Sequence, residues 1–330
     1  MSGAPRLALA LALLAGGSAR AYVRTTTASN DPRHGACLYW PQAGFTYRVN
    51  ASGFTGAGCA GAADAASLLR ASFAPWMQAS RGGAACSGFH FADGGDTQVT
   101  ALGNDGVNLV VLRRGLCSSF AAADPDCAVG ASPEAENRCI AAHDCWSHGT
   151  GAIIALTTAT FRVETGEIVD ADTELHAWNA DARNPTGWYF TCAGAGSGIC
   201  PTPPYGSASC IYIDVGTTMT HEAGHMLGLD HVCAYSGTTC DSSSVMFPNT
   251  SPGKVVRALG ADDVAGVCDI YPAGGAPSAS AGCLGQPAPP SSSGCSSGGA
   301  AGGLAVLALA ALALRRRRSR PWSPRVRGDA

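Results

Sequence analysis

The stretch His221-Glu222-Ala223-Gly224-His225-Met226-Leu227-Gly228-Leu229-Asp230-His231 decides how the rest of the chain is read. His221 and His225 stand four apart, so on a helix they project from one face about one turn apart, and two imidazole nitrogens can meet one metal ion. Glu222 lies beside that face and reaches a metal-bound water without occupying the metal. Gly228 is where the helix must stop, because a residue without a Cβ takes the positive φ that turns the chain back. The turn brings His231 round as a third ligand. Three neutral nitrogens leave a fourth tetrahedral position to water, the arrangement of a catalytic rather than a closed structural zinc site. One catalytic Zn2+ is therefore expected on His221, His225 and His231, with Glu222 as general base.

Working outward, Phe45-Thr-Tyr-Arg-Val49 alternates as a strand should, and Asp64 to Ala79 has an acidic start and the apolar spacing of an amphipathic helix. Asn108 to Leu112 and Gly151 to Leu156 read as buried strands. Residues 115 to 150, rich in Cys, Asp, Ala and Ser, read as a disulfide-tied loop region. Asp172-Thr-Glu-Leu-His-Ala-Trp178 alternates polar and apolar side chains, as a half-exposed edge strand does. Asn179 to Cys210 reads as an irregular insertion, Ile211 to Asp230 as the helix that carries the motif, and Gly260 to Tyr271 as a final helix with acids in its first turn.

The pattern H-E-x-x-H-x-x-G-x-x-H resembles that of the metzincin metalloproteases. That resemblance implies a methionine in a tight turn beneath the zinc, and Ser244-Val-Met-Phe-Pro248 supplies Met246. Phe247-Pro248 and the segment Leu259-Gly-Ala-Asp-Asp-Val-Ala-Gly are similar to the matrixin branch, where the second acid, here Asp263, bonds the backbone of the Met-turn. In the same likeness Ile168 to Leu175 matches the substrate-side edge strand, to which an extended peptide would add by backbone hydrogen bonding. The implied fold is α/β: a zincin-like single domain with a mixed, twisted sheet, an active-site helix and a Met-turn. The implied function is zinc-dependent hydrolysis of internal bonds in extended polypeptides, with a specificity pocket formed partly by Pro248 to Lys254. The alternative is a zinc-binding surface adhesion module that keeps the scaffold without turnover. No Pro-Arg-Cys-Gly-x-Pro-Asp stretch is present, so latency of the matrixin kind is not expected.

The termini place this domain. Residues 1–21 carry Arg6, an apolar run and small residues ending at Ala21, as a secretory signal does. The domain is expected over residues 22–272, followed by a Ser/Pro/Gly-rich linker over 273–299 and an apolar segment with an Arg-rich tail over 300–330. That order resembles the myxobacterial C-terminal sorting signal, with Cys295 as processing and lipid-attachment point. It implies a tail that engages the membrane or sorting machinery, and a protein at the cell surface or released outside.

The whole chain has 21 Lys and Arg against 24 Asp and Glu, but nine of those cations and one acid lie in the two terminal segments, leaving a net charge near −11 between them. Nucleic acid is thereby disfavoured as a partner, and a monomer is expected. Fifteen cysteines with an export signal imply a disulfide framework. Cys117/Cys127, Cys139/Cys145, Cys192/Cys200 and Cys233/Cys240 are the close pairs that could staple loops, and Cys37 is read as a disulfide partner rather than a thiolate cap on zinc. Asp170, Asp172 and Glu174 are candidates for Ca2+, although acids on an exposed strand more often form a solvated face. His143-Asp144 with His148, or His176, are candidates for a second metal, with solvated histidines the better reading.

Overall fold

The computed structural model describes residues 22–28, 34–54, 59, 61–113, 115–148, 153–176, 188–192, 211–233, 240–251, 253–279, 282–285 and 325–329, with the backbone alone at 188–189, 211–212 and 325–329. In chain order the main elements are β1 (Gly44–Asn50), α1 (Ala62–Ala71), α2 (Ala74–Met77), β2 (His90–Asp96), β3 (Asn108–Arg113), α3 (Pro133–His143), β4 (Ala155–Phe161), β5 (Ile168–His176), β6 (Trp188–Thr191), β7 (Ile211–Asp214), α4 (Val215–Met226), α5 (Ala261–Ile270) and β8 (Arg325–Asp329).

One mixed sheet runs β8-β4-β5-β3-β1-β2. β2, β1, β3 and β5 are mutually parallel, whereas β4 lies antiparallel to β5 and β8 antiparallel to β4. A parallel core needs both faces covered, and all six residues of β3 are buried. β1 alternates instead, with Tyr47 and Val49 inside and Thr46 and Arg48 outside, as its sequence pattern predicts.

The expected helix from Asp64 to Ala79 is broken in two. Pro75 lacks the N–H that a continuous helix would use, so α1 stops at Ala71 and α2 restarts with the proline in its first turn. Tyr47, Phe73 and Phe91 stack with centroids 4.1 and 4.6 Å apart, joining these helices to the sheet. The strand expected from Gly151 lies further along, at Ala155–Phe161. Residues 115–148 are not all loop: α3 is capped by Ser132, whose hydroxyl accepts from the Ala135 N–H at 3.2 Å, with Pro133 in the first turn.

The strand read as a half-exposed edge is an inner strand. β5 sits between β4 and β3, and its polar residues Asp170, Asp172, Thr173, Glu174 and His176 are all buried. Alternation was misleading because partners distant in sequence satisfy Asp170, Asp172, Thr173 and Glu174. The sheet margin that borders the histidine motif is therefore β4, which among the described residues is paired on its outer side only with β8. Nor is Ile211 to Asp230 one helix: Ile211–Asp214 is a strand parallel to β6, and Asp214 then caps α4 by accepting from the Thr217 N–H at 2.6 Å.

Six disulfides join described cysteines: Cys37–Cys283, Cys59–Cys192, Cys86–Cys268, Cys117–Cys145, Cys127–Cys139 and Cys233–Cys240. Of the close pairs expected, Cys233/Cys240 is found. Cys117, Cys127, Cys139 and Cys145 exchange partners, and Cys192 bonds Cys59. Cys200 and Cys295 lie outside the described residues, as do the signal at 1–21 and the apolar run at 300–314. Chain beyond Pro272, expected as linker, is tied back: Cys283 bonds Cys37, and its carbonyl accepts from the Arg24 N–H at 2.8 Å. Among the described residues no helix is long and apolar enough to cross a membrane.

Candidate metal centre

α4 is buried along its whole length except at Thr217. The backbone N–H groups of Leu227 and Gly228 meet the carbonyls of Ala223, Gly224 and His225 at its end, and aromatic side chains meet other carbonyls of the helix and its C-cap. Trp40 Nε1 donates to Met226 O at 2.7 Å and the Tyr271 hydroxyl to Leu227 O at 2.8 Å, while Trp76 Nε1 donates to Thr220 O at 2.8 Å. Gly228 then takes φ 89°, and a Cβ there would stand 2.6 Å from Leu38 O. Both the turn and the close approach require glycine. The chain reverses there and brings His231 against the helix.

His221 and His225 Nε2 lie 3.0 Å apart, and His231 Nε2 lies 3.1 and 3.3 Å from them. The other ring nitrogens fix what those atoms are. His221 Nδ1 is 2.6 Å from Val245 O and His225 Nδ1 is 2.8 Å from Leu229 O. A carbonyl oxygen only accepts, so both Nδ1 atoms carry the proton and both Nε2 atoms present lone pairs. Burial, followed by the neighbouring imidazole, pushes the His221 pKa down to about 3 and holds His225 well below its usual value, so both rings are neutral. Converging lone pairs at this separation repel unless a cation lies between them, and tetrahedral zinc with Zn–N near 2.0–2.1 Å needs nitrogens about 3.3 Å apart. The donor set fits zinc.

Beneath the histidines the segment Ser244-Val245-Met246 is held by Asp263 of α5. Its Oδ2 accepts from the Val245 N–H at 2.8 Å, and its Oδ1 accepts from the Ser244 hydroxyl at 2.5 Å and the Met246 N–H at 3.2 Å. Met246 is buried, and its sulfur lies so near Gly224 that a Cβ there would meet it at 2.2 Å. Met246 therefore lies against α4 under the histidines, Gly228 at the reversal after α4, and Asp263 against the backbone of the turn. Beside His221 a pocket is lined by Ile154, Thr218, Val245, Phe247, Pro248 and Val256, and Lys254, with Nζ 5.5 Å over the Phe247 ring, closes its rim.

Glu222 is fully buried, and its Oε2 accepts from the Thr157 hydroxyl at 2.6 Å. Sequence reasoning missed Thr157. Nothing local marks one threonine of β4 as the partner of an acid 65 residues further on.

The comparisons bear on this region. Residues 143–272 match the matrixin family model. A 64-residue stretch, 19% of this chain, is 38% identical to Metalloendoproteinase 1-MMP of Arabidopsis thaliana, and covers 16% of that relative. The match thus spans about a sixth of the relative's length. Together these findings support a matrixin-like metalloprotease, and the mixed α/β sheet with few helices is the metzincin-like fold expected. The matrixin match takes in the three histidines, Met246 and Asp263, and also β4 and β5.

Other candidate ligands are committed elsewhere. Arg113, fully buried, donates from Nε to Glu174 at 2.7 Å and from Nη1 to Asp144 at 3.0 Å, while His148 Nε2 meets Glu174 at 3.1 Å. Burial alone would raise the Glu174 pKa, but Arg113 and then His148 override it and hold it down to about 2. His176 stacks on Trp146 at 4.9 Å, and His143 pairs with Asp124 at 2.9 Å, remote from this cluster in its bonding. The Arg113 guanidinium therefore bridges Glu174 and Asp144 at the second candidate site. Asp172 accepts from the N–H groups of Gly103 and Leu109, and Asp170 from that of Gly106. The described clusters that contain cysteine, such as Cys117, Cys139 and Cys145, have their sulfurs in disulfides.

Proposed function

We propose that the chain is an exported zinc-dependent endopeptidase that cleaves internal bonds of extended polypeptides. The observation that carries this reading is the convergence of three imidazole Nε2 atoms within 3.3 Å of one another, next to the buried Glu222. His221, His225 and His231 would hold the ion. Bound there, zinc supplies a Lewis acid that acidifies water and polarises the scissile carbonyl.

The chain's own groups do the rest. β4 borders the cleft and offers its outer backbone groups to an extended peptide, and the antiparallel pairing of residues 325–329 along it supports the idea that this margin takes an added strand. Glu222 takes the proton of the attacking water and hands it to the leaving amine. The pocket beside His221 receives the side chain that follows the cut bond, against Val245 and Phe247. No calcium site is proposed on Asp170, Asp172 and Glu174, which are engaged by backbone N–H groups, Arg113 and His148.

Export rests on residues 1–21 and on the disulfides, which form in oxidising compartments. The apolar and Arg-rich tail is proposed to deliver the chain to the cell surface, with Cys295 as attachment point. The purified protein should bind one zinc per chain and cleave casein, and activity should be lost with a chelator and with Glu222→Gln. Zinc without turnover would instead point to an adhesion module, and turnover that survives both treatments would overturn the mechanism.

A further inference from the structure

Glu222 is tied to the sheet by a two-step hydroxyl chain. Thr157 of β4 and Thr173 of β5 face each other in register, with their Oγ1 atoms 2.7 Å apart, and Thr157 Oγ1 is 2.6 Å from Glu222 Oε2. All three residues are buried. A carboxylate only accepts, so the Thr157 hydroxyl spends its one proton on Glu222, and Thr157 must then accept from Thr173. Chemistry alone sets the direction: Thr173 to Thr157 to Glu222.

We propose that Thr157 is a positioning residue for Glu222, and that Thr173 orders Thr157. The inference rests on the reading of Glu222 as general base. A glutamate has three side-chain torsions to fix, and a general base must hold its oxygen within hydrogen-bond reach of the proton it takes. Anchoring Oε2 to the sheet fixes the plane of the carboxylate and assigns Oε1 to the reaction. The anchor has a second consequence. Thr157 also lies on the strand proposed to pair with substrate, and its backbone is opposite Gly328 in the pairing with β8. One residue therefore joins the peptide-binding margin by its backbone to the base by its side chain, so a shift of β4 moves both together.

The test compares Thr157→Val, which keeps the shape and removes the hydroxyl, with Thr157→Ser, which restores it, and with Thr173→Val. An internally quenched peptide gives kcat and KM, and zinc stoichiometry and thermal midpoint are measured on each protein. Misplacing a catalytic group by about 1 Å costs on the order of 100-fold. Thr157→Val should therefore lower kcat by roughly 10- to 100-fold with KM and zinc content little changed. Thr157→Ser should return to within about 3-fold of the parent, and Thr173→Val should fall between them. Equal kcat for Thr157→Val and the parent, or a serine variant as poor as the valine, overturns the proposal. The visible spectrum of the cobalt(II)-loaded protein gives a reading that does not need turnover. It should change in Thr157→Val and revert in Thr157→Ser. If the parent binds zinc but cleaves nothing, the proposed function fails while the spectrum still decides the position of Glu222. If the valine variant does not fold, Thr173→Val and Thr157→Ser carry the comparison.

Discussion

Asp263 and Val245, 18 residues apart, are joined by a hydrogen bond of 2.8 Å from the Val245 N–H to the buried Asp263 carboxylate, and the carbonyl of the same Val245 holds His221 Nδ1 at 2.6 Å. The last helix thus orients a histidine of the proposed zinc site through one residue, Val245. Removing the carboxylate leaves the buried Val245 N–H and the half-buried Gly260 N–H without their acceptor and Met246 N–H with the Ser244 hydroxyl alone, at about 1–3 kcal/mol for each orphaned group. Asp263→Ala should therefore unfold at markedly lower urea. Outer partners of metal ligands are worth roughly 10- to 100-fold in affinity, and zinc competition with a chromophoric chelator should show a loss of that order. Unchanged zinc affinity in a folded Asp263→Ala would break the proposed link.

Gly224 tests the packing beneath the site. A Cβ there would meet Met246 Sδ at 2.2 Å and the Trp76 ring at 2.9 Å, so α4 must move away from the turn. Overpacking of a filled core costs about 1–3 kcal/mol, and denaturant titration of Gly224→Ala should show it. Zinc binding should weaken as well, because His221 and His225 flank the displaced turn of helix. A neutral outcome would mean that Met246 yields without cost.

These two relationships mark what the sequence could reveal. The histidines, Glu222 and Gly228 were legible because metal chemistry and helix geometry fix their spacing over eleven residues. Met246 and Asp263 were legible through family likeness, since nothing in their own neighbourhood sets their roles. β5 was misread as an exposed edge because alternation of polar and apolar residues has the same appearance when the polar ones are buried and paired. Glu174 finds Arg113, and Asp172 finds the N–H groups of Gly103 and Leu109, across more than sixty residues. Disulfide partners and the Thr157 bond to Glu222 are likewise products of the sheet order, which no local pattern encodes.

Arg113 and Glu174 form a buried pair whose halves should not be separable. Loss of one partner strands a charge, at roughly 3–5 kcal/mol, whereas replacing both by apolar residues of similar volume is often neutral. Arg113→Met should accordingly be strongly destabilised, and Arg113→Met combined with Glu174→Leu should recover much of the loss. Thermal or urea unfolding of the three proteins checks this. A double variant as weak as the single one would show that Asp144 and His148, rather than Glu174, depend on the guanidinium.

Asp172 should make stability fall with rising pH. Its burial, then the nearby Asp170, pushes its pKa up to about 8 from 3.8. The folded state therefore holds a proton that the unfolded chain has already released between about pH 4 and 8. Stability from this group is complete below pH 4 and lost as pH climbs through 8. Glu174 acts at the other end: its pKa near 2 confers stability that is lost only as pH drops below the usual glutamate range. Urea midpoints measured from pH 5 to 9 should decline for the parent and flatten for Asp172→Asn. A parallel decline in both would assign the slope to another group.

The outer side of β4 cannot serve two strands at once. Arg325 to Asp329 pair with Thr160 through Leu156, along the margin proposed for substrate, so a peptide can pair there only after this segment leaves. Any affinity of the segment for β4 raises the apparent KM, because only the vacated fraction is competent to bind. A chain ending at residue 324 should therefore show a lower KM with kcat unchanged, and a synthetic peptide spanning 322–330 should inhibit the shortened enzyme competitively. The two effects must appear together. A lower KM without inhibition by the peptide would mean that the tail acts elsewhere, and inhibition without a lower KM would mean that the attached segment is held away from β4 while substrate binds.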